Sequence, residues 1–207
     1  MVAGCCGNDT KFDGASLAFK RTLIAVIAIN GTMFITEIIA GIAAGSQALL
    51  ADALDFLGDT ATYGLSLAVI GMPLIVRARA ALIKGISLAV MGLWVFGSTL
   101  YHALSTSTPQ AEIMGAVGFL ALVANLASVL LLLKYRDGDA NVRSVWLCSR
   151  NDAIGNVAVI LAASGVWASQ TAWPDLVVAG LMASLFLWSS LQIIRQARAE
   201  TLQAQPA

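Results

Sequence analysis

The 207-residue chain is 58% hydrophobic and only 12% charged, with a mean hydropathy of +0.81 and a formal net charge of zero. A soluble domain carries about twice that charged fraction, and its core does not absorb apolar runs this long. The composition describes an all-α integral membrane protein, and the zero net charge removes any electrostatic case for nucleic acid.

In chain order, residues 1–20 lack the apolar centre of a signal peptide and read as a cytoplasmic tail carrying Cys5, Cys6, Asp9, Lys11 and Asp13. Hydropathy then predicts six membrane helices, roughly 21–43, 47–72, 80–102, 112–134, 142–168 and 175–195. They form one transmembrane domain over 21–197, with a short cytoplasmic tail at 198–207. The connections are short, beginning with Gly45-Ser46, and none has room for an inserted domain. The three cysteines, Cys5, Cys6 and Cys148, lack the spacing of a disulfide framework.

Basic residues set the orientation. Lys20 and Arg21 precede the first helix, and Arg77, Arg79 and Lys84 flank the second loop. Lys134, Arg136 and Arg143 flank the fourth, and Arg195 and Arg198 lie at the end of the last helix. The odd-numbered loops contain no Lys or Arg. The positive-inside rule places both termini in the cytoplasm, as in a multi-pass protein of the bacterial inner membrane.

Against this apolar background two helical turns stand out. Asp55 and Asp59 are four residues apart in the second helix, and Cys148 and Asp152 are four apart in the fifth, so each pair shares one helix face. Intramembrane carboxylates are costly and mark functional sites. At 1.5 Å per residue, Asp55 and Asp59 lie ~12–18 Å below the outer surface, and Cys148 and Asp152 ~9–15 Å above the inner one. In a ~30 Å hydrocarbon core both pairs reach the middle. Asp55, Asp59, Cys148 and Asp152 are thus the predicted metal ligands. Three oxygens and one sulfur suit Zn²⁺ or Cd²⁺, with Fe²⁺, Co²⁺ and Mn²⁺ as alternatives. The metal is the transported substrate, and no cofactor is predicted. Ligands must shed protons to bind it, so metal and protons compete for one site, which is the basis of antiport. A metal-binding membrane accessory or sensor is the alternative of a different class. No nucleophile–base pair accompanies the carboxylates, so an enzyme is not expected.

Other polar residues read less sharply. Asp52, one turn outward of Asp55, is either a proton waystation or a helix-packing acceptor. Glu37 either lines an exit path or bonds a neighbouring helix. Asn30 and Asn156 are expected to form interhelical hydrogen bonds, with Asn156 one turn from Asp152 and able to support it. Arg150 points away from the site, to snorkel or to pair with an acid. His102 is expected in solvent at the outer end of helix 3. Cys5-Cys6 is either an entrance for soft cations or an incidental part of the tail.

The stretch from Glu37 to Asp59, EIIAGIAAGSQALLADALDFLGD, resembles the helix 1–2 signature of cation diffusion facilitator transporters. In that signature a Gly-Ser turn and a leucine-rich run precede a His or Asp four residues before an Asp; here these are Asp55 and Asp59. The segment WLCSRNDAIGNVAVI, Trp146 to Ile160, is similar to the family's helix 5, whose usual His and Asp fall on Cys148 and Asp152. The resemblance implies a homodimeric divalent-metal/proton antiporter working by alternating access, with a tetrahedral site between helices 2 and 5. Two departures accompany it. Cys148 replaces the usual His, and a thiol with an ordinary pKa of ~8.5 gives up its proton less readily than imidazole. The family's usual cytoplasmic domain after helix 6 is also not expected, so dimer contacts are expected in the membrane helices. The second cytoplasmic loop, Pro73 to Lys84, lacks the histidines of many zinc-exporting relatives.

Overall fold

The computed structural model describes residues 16–68, 72, 74–104, 107–137 and 140–203. Six long helices make up nearly all of it: α1 (Leu17–Ala44), α2 (Gln47–Ala68), α3 (Leu74–Ala103), α4 (Ala111–Leu132), α5 (Ala140–Ser169) and α6 (Trp173–Gln203). A single 3-10 turn, Leu133–Tyr135, follows α4, and there is no strand among the described residues. Cys5 and Cys6 lie outside the described residues.

The helix ends follow local chemistry. Ser16 caps α1 by accepting from the Phe19 N–H at 3.1 Å. At the other end Gly45 takes a left-handed conformation (φ 67°), and the Ser46 N–H returns to the Gly41 carbonyl at 3.0 Å. Only glycine enters that region without strain, so the predicted Gly45-Ser46 turn is a glycine C-cap. Several helices outrun their hydropathy limits, α3 and α6 the most. α3 begins at Leu74 rather than 80, and α6 reaches Gln203 rather than 195. Hydropathy registers the apolar core of a helix, not the polar turns that continue beyond it.

Among the described residues, five helices are long and apolar enough to cross a membrane. The sixth, α2, holds Asp52, Asp55 and Asp59 within its 22 residues. α1, α3, α5 and α6 all pack against it. The other five helices expose large apolar side chains, among them Ile35 and Ile39 on α1, Trp94 on α3 and Leu181 on α6; α2 exposes none. The helix least suited to lipid is therefore the interior one, as the cost of intramembrane charge requires.

Packing differs between the two ends. A cluster of buried apolar residues at the outer end joins all six helices, with Ala44, Leu49, Val95, Met114, Val166 and Phe186 contributed one by each. At the end marked cytoplasmic by the basic residues, the corresponding cluster contains Phe19, Leu23, Val26, Tyr63, Leu132 and Val145. Among the described residues it joins α1, α2, α4 and α5 and includes nothing from α3 or α6. Those two helices pack on each other there. A Cβ on Gly85 would stand 2.8 Å from Ile194 Cγ1, and one on Gly92 3.1 Å from Leu187 Cγ. The bundle thus consists of a four-helix body and an α3–α6 pair, joined mainly at the outer end.

Candidate metal site and the polar interior

Asp55 and Asp59 occupy successive turns of α2, and both are half-buried. Asp152 on α5 is half-buried too, and its side chain interacts with both of them. The three carboxyl groups therefore lie close to one another between α2 and α5. Cys148 lies on α5 one turn before Asp152, but its side chain lies outside the described residues. Among the described residues no three His, Cys, Asp or Glu side chains are gathered tightly enough to hold a metal ion.

Tyr63, one further turn along α2, is fully buried and donates its hydroxyl hydrogen bond to Asp59 Oδ2. The same hydroxyl lies 3.4 Å from Ser149 Oγ and 3.5 Å from the Val145 carbonyl oxygen on α5. Tyr63 therefore ties Asp59 to the helix that carries Asp152. Lys84 on α3 acts on Asp59 electrostatically. Helical spacing alone places Tyr63 on the Asp59 face, so its role was readable from the sequence and was missed.

On the outer side of Asp55 lies a second polar layer, sealed rather than half-open. Asp52, Asn156, Glu37 and Asn125 are each no more than 2% exposed. Asn156 Nδ2 donates to Asp52 Oδ2 at 2.6 Å, and Asn125 Nδ2 donates to Asn156 Oδ1 at 2.9 Å. Glu37 engages Asp52 through its side chain. Of the readings open for these residues, Asp52 is thus a packing acceptor and Glu37 bonds a neighbouring helix. Asn156 makes the interhelical bonds expected of it. Asn30 does not: its amide nitrogen donates within α1, to the Val26 carbonyl at 3.0 Å. Arg150 is exposed and stacks over the Trp146 ring at 5.4 Å, with its guanidinium on Asn151 rather than on an acid. His102 is half-buried rather than free in solvent, its Nδ1 2.9 Å from the Ser98 carbonyl.

A third polar cluster lies at the outer surface. Asp175, in the first turn of α6 and 1% exposed, accepts from Ser46 Oγ at 2.6 Å, the Gln47 N–H at 2.8 Å and the Ala48 N–H at 3.0 Å. It caps the start of α2 from another helix. Ser98 on α3 adds a bond to Gln47 Oε1 at 2.6 Å. Sequence reading did not weigh Asp175, although an acid in the first turn of a helix is a recognisable signal.

Five apolar helices around a sixth that carries three carboxylates define a multi-pass integral membrane protein with an ionisable interior. Residues 23–72 and 77–200 match the cation efflux transmembrane domain, and the chain belongs to that family of cation diffusion facilitators. It is 30% identical over 185 residues to the metal cation efflux system protein CzcD of Cupriavidus metallidurans, a match spanning 82% of this chain and 56% of the relative. It is 26% identical over 200 residues to the zinc transporter ZitB of Escherichia coli, covering 90% of this chain and 64% of that protein. The cadmium, cobalt and zinc/H(+)-K(+) antiporter of Bacillus subtilis is 28% identical over 196 residues, covering 85% and 61%. The chain therefore spans a little over half the length of the CzcD relative. These relatives are named as transport proteins, not enzymes.

Proposed function

We propose that this protein exports a divalent metal cation from the cytoplasm, Zn²⁺ first and Cd²⁺ beside it, in exchange for protons. The observation that carries the reading is the engagement of Asp152 on α5 with Asp55 and Asp59 on α2, inside a bundle whose other helices turn apolar faces outward. Three acid groups at one membrane level have no structural use that a hydrogen-bonded amide would not serve at lower cost. With Cys148 one turn from Asp152, they make a four-ligand set of three oxygens and one sulfur, suited to tetrahedral Zn²⁺. The names of the relatives, which specify zinc, cadmium and cobalt, support the same class of ion.

The half-burial of these ligands supports a site reached by solvent rather than a sealed structural centre. The outer cluster joins all six helices while, among the described residues, the cytoplasmic one omits α3 and α6, which supports access from the cytoplasm in this state. Alternating access then requires the α3–α6 pair and the four-helix body to change their relative tilt. We infer a homodimer working as a membrane-embedded unit, as the family resemblance implies.

Purified protein in proteoliposomes with an imposed pH gradient tests the reading. Zn²⁺ should move with protons flowing the other way. Binding without flux under any gradient would make the protein an accessory or sensor instead. Selectivity is tested separately. Cys148→His should keep transport but shift the ratio of Zn²⁺ to Cd²⁺ rates severalfold toward Zn²⁺, because a thiolate favours the softer ion. An unchanged ratio removes Cys148 from the selectivity determinants.

A further inference from the structure

We propose that Tyr63 is a specificity-determining residue: its hydroxyl holds Asp59 to one metal-facing oxygen, which favours four-coordinate Zn²⁺ over six-coordinate Mn²⁺. The inference rests on the metal site proposed above and says what sets its coordination number.

Local geometry brings the hydroxyl to Asp59. Tyr63 follows Asp59 by one turn of α2. Helical side chains lean toward the N-terminus of their helix, so the ring reaches back along the Asp59 face. The ring has no exposed surface and packs in the apolar cluster with Phe19, Leu23, Val26, Leu132 and Val145. Close packing of that kind leaves the hydroxyl little freedom to move. It donates to Asp59 Oδ2, with Ser149 Oγ at 3.4 Å and the Val145 carbonyl oxygen at 3.5 Å as its neighbours on α5. A phenol carries one proton, and the Asp59 contact is the shortest of the three, so that proton serves the carboxylate. A hydroxyl needed only for packing has Ser149 beside it as a partner and does not require an acid.

The consequence lies in how a carboxylate binds an ion. Ligating carboxylates are held by hydrogen bonds from outside the site, which orient them and tune the metal. To chelate one ion, a carboxylate must turn both oxygens toward it. With Oδ2 accepting from a buried hydroxyl, Asp59 turns Oδ1 alone to the ion. Tyr63 approaches from the cytoplasmic side, whereas Asp55 stands one turn outward, so the bond draws Oδ2 away from the other ligand of α2. One oxygen each from Asp55, Asp59 and Asp152, with the Cys148 sulfur, makes the four donors that Zn²⁺ takes. An octahedral ion such as Mn²⁺ needs more oxygens than that set supplies. Releasing Oδ2 adds one.

Tyr63→Phe keeps the ring and removes only the hydroxyl. Co²⁺ is a direct probe, because a tetrahedral Co²⁺ site absorbs visible light far more strongly than a five- or six-coordinate one. In the purified protein, wild type should give the intense tetrahedral spectrum, and Y63F the weaker one of higher coordination. By calorimetry, the ratio of Zn²⁺ to Mn²⁺ affinity should fall about 10-fold or more in Y63F, the lower limit for losing a group that supports a metal ligand. Ser149→Ala removes a neighbour on α5 but leaves the Asp59 bond, and should match wild type in both measurements.

A six-coordinate Co²⁺ spectrum in wild type would overturn the proposal, whatever the variants do. So would an unchanged spectrum and ratio in Y63F. An equal change in S149A would also overturn it, because the effect would then come from the α2–α5 contact rather than from the carboxylate. Loss of folded Y63F on size-exclusion chromatography would assign the hydroxyl to the fold instead. If wild type binds none of the three ions, the metal-site reading itself fails, and the two failures are told apart.

Discussion

Replacing Asp152 or Asp59 by alanine should cut metal flux in proteoliposomes by more than ~100-fold, since loss of a supporting group around a metal already costs about 10–100-fold. The protein itself should persist in the membrane at normal levels. Both carboxylates are half-buried, and removing one acid from a group of like-charged neighbours in a low-dielectric interior relieves an electrostatic cost. Asp59→Ala does free the Tyr63 hydroxyl, but Ser149 Oγ at 3.4 Å offers it another partner. The two variants should also lose Zn²⁺ binding by calorimetry. Normal transport by either one would show that the α2–α5 carboxylates do not hold the ion. An unfolded product would instead assign them the structural role that their half-burial argues against.

The polar residues of the interior fall into two kinds, and the difference is physical. Asp55, Asp59 and Asp152 keep partial exposure, which lets an ion reach them. Asp52, Glu37, Asn125 and Asn156 are sealed; hydrogen bonds join α2, α4 and α5, and Glu37 of α1 lies beside Asp52. Those are the same four helices joined by the cytoplasmic apolar cluster. The sealed layer therefore fixes the α2–α5 register on which the half-open one depends. A slip of α5 by one turn, ~5.4 Å, would separate Asp152 from both aspartates of α2.

Much of this was legible in the sequence. Hydropathy and the basic residues are one-dimensional signals, so the six helices and their orientation could be read directly. The i,i+4 pairs Asp55/Asp59 and Cys148/Asp152 are local as well, and spacing alone puts each on one face. Partners distant in sequence were not legible. Asn156 and Asp52 are 104 residues apart, and Asp175 and Gln47 are 128 apart. Periodicity names the face of a helix but not the residue it meets, which is why Glu37 and Asp52 each kept two readings until α1 and α2 were seen packed together. Asn30 shows the converse error. A buried amide in a membrane helix was assigned an interhelical partner, yet its own helix supplied a carbonyl four residues back.

Asp175→Ala should be the most destabilising single substitution at the outer surface, lowering unfolding stability by about 3 kcal/mol or more, because buried donors left without an acceptor cost about 1–3 kcal/mol each. Three donors converge on this carboxylate: the Ser46 hydroxyl and the backbone N–H groups of Gln47 and Ala48. The two N–H groups open α2 and have no partner within their own helix. A negative charge there also complements the helix dipole. The cap comes from α6, so its loss loosens the outer junction between the α3–α6 pair and the four-helix body as well as fraying α2. Asp175→Asn should lose less, since its remaining oxygen still accepts while its amide nitrogen faces a donor. Thermal unfolding of the two variants and wild type in one detergent gives the comparison. Equal melting temperatures for D175A and wild type would show that Ser46 alone suffices to cap α2, through its 3.1 Å bond from the Leu49 N–H. A drop in melting temperature together with raised, gradient-independent leakage of Zn²⁺ would identify the Asp175 cap as the seal of the outer side, because a bundle open at both ends cannot couple one flux to another.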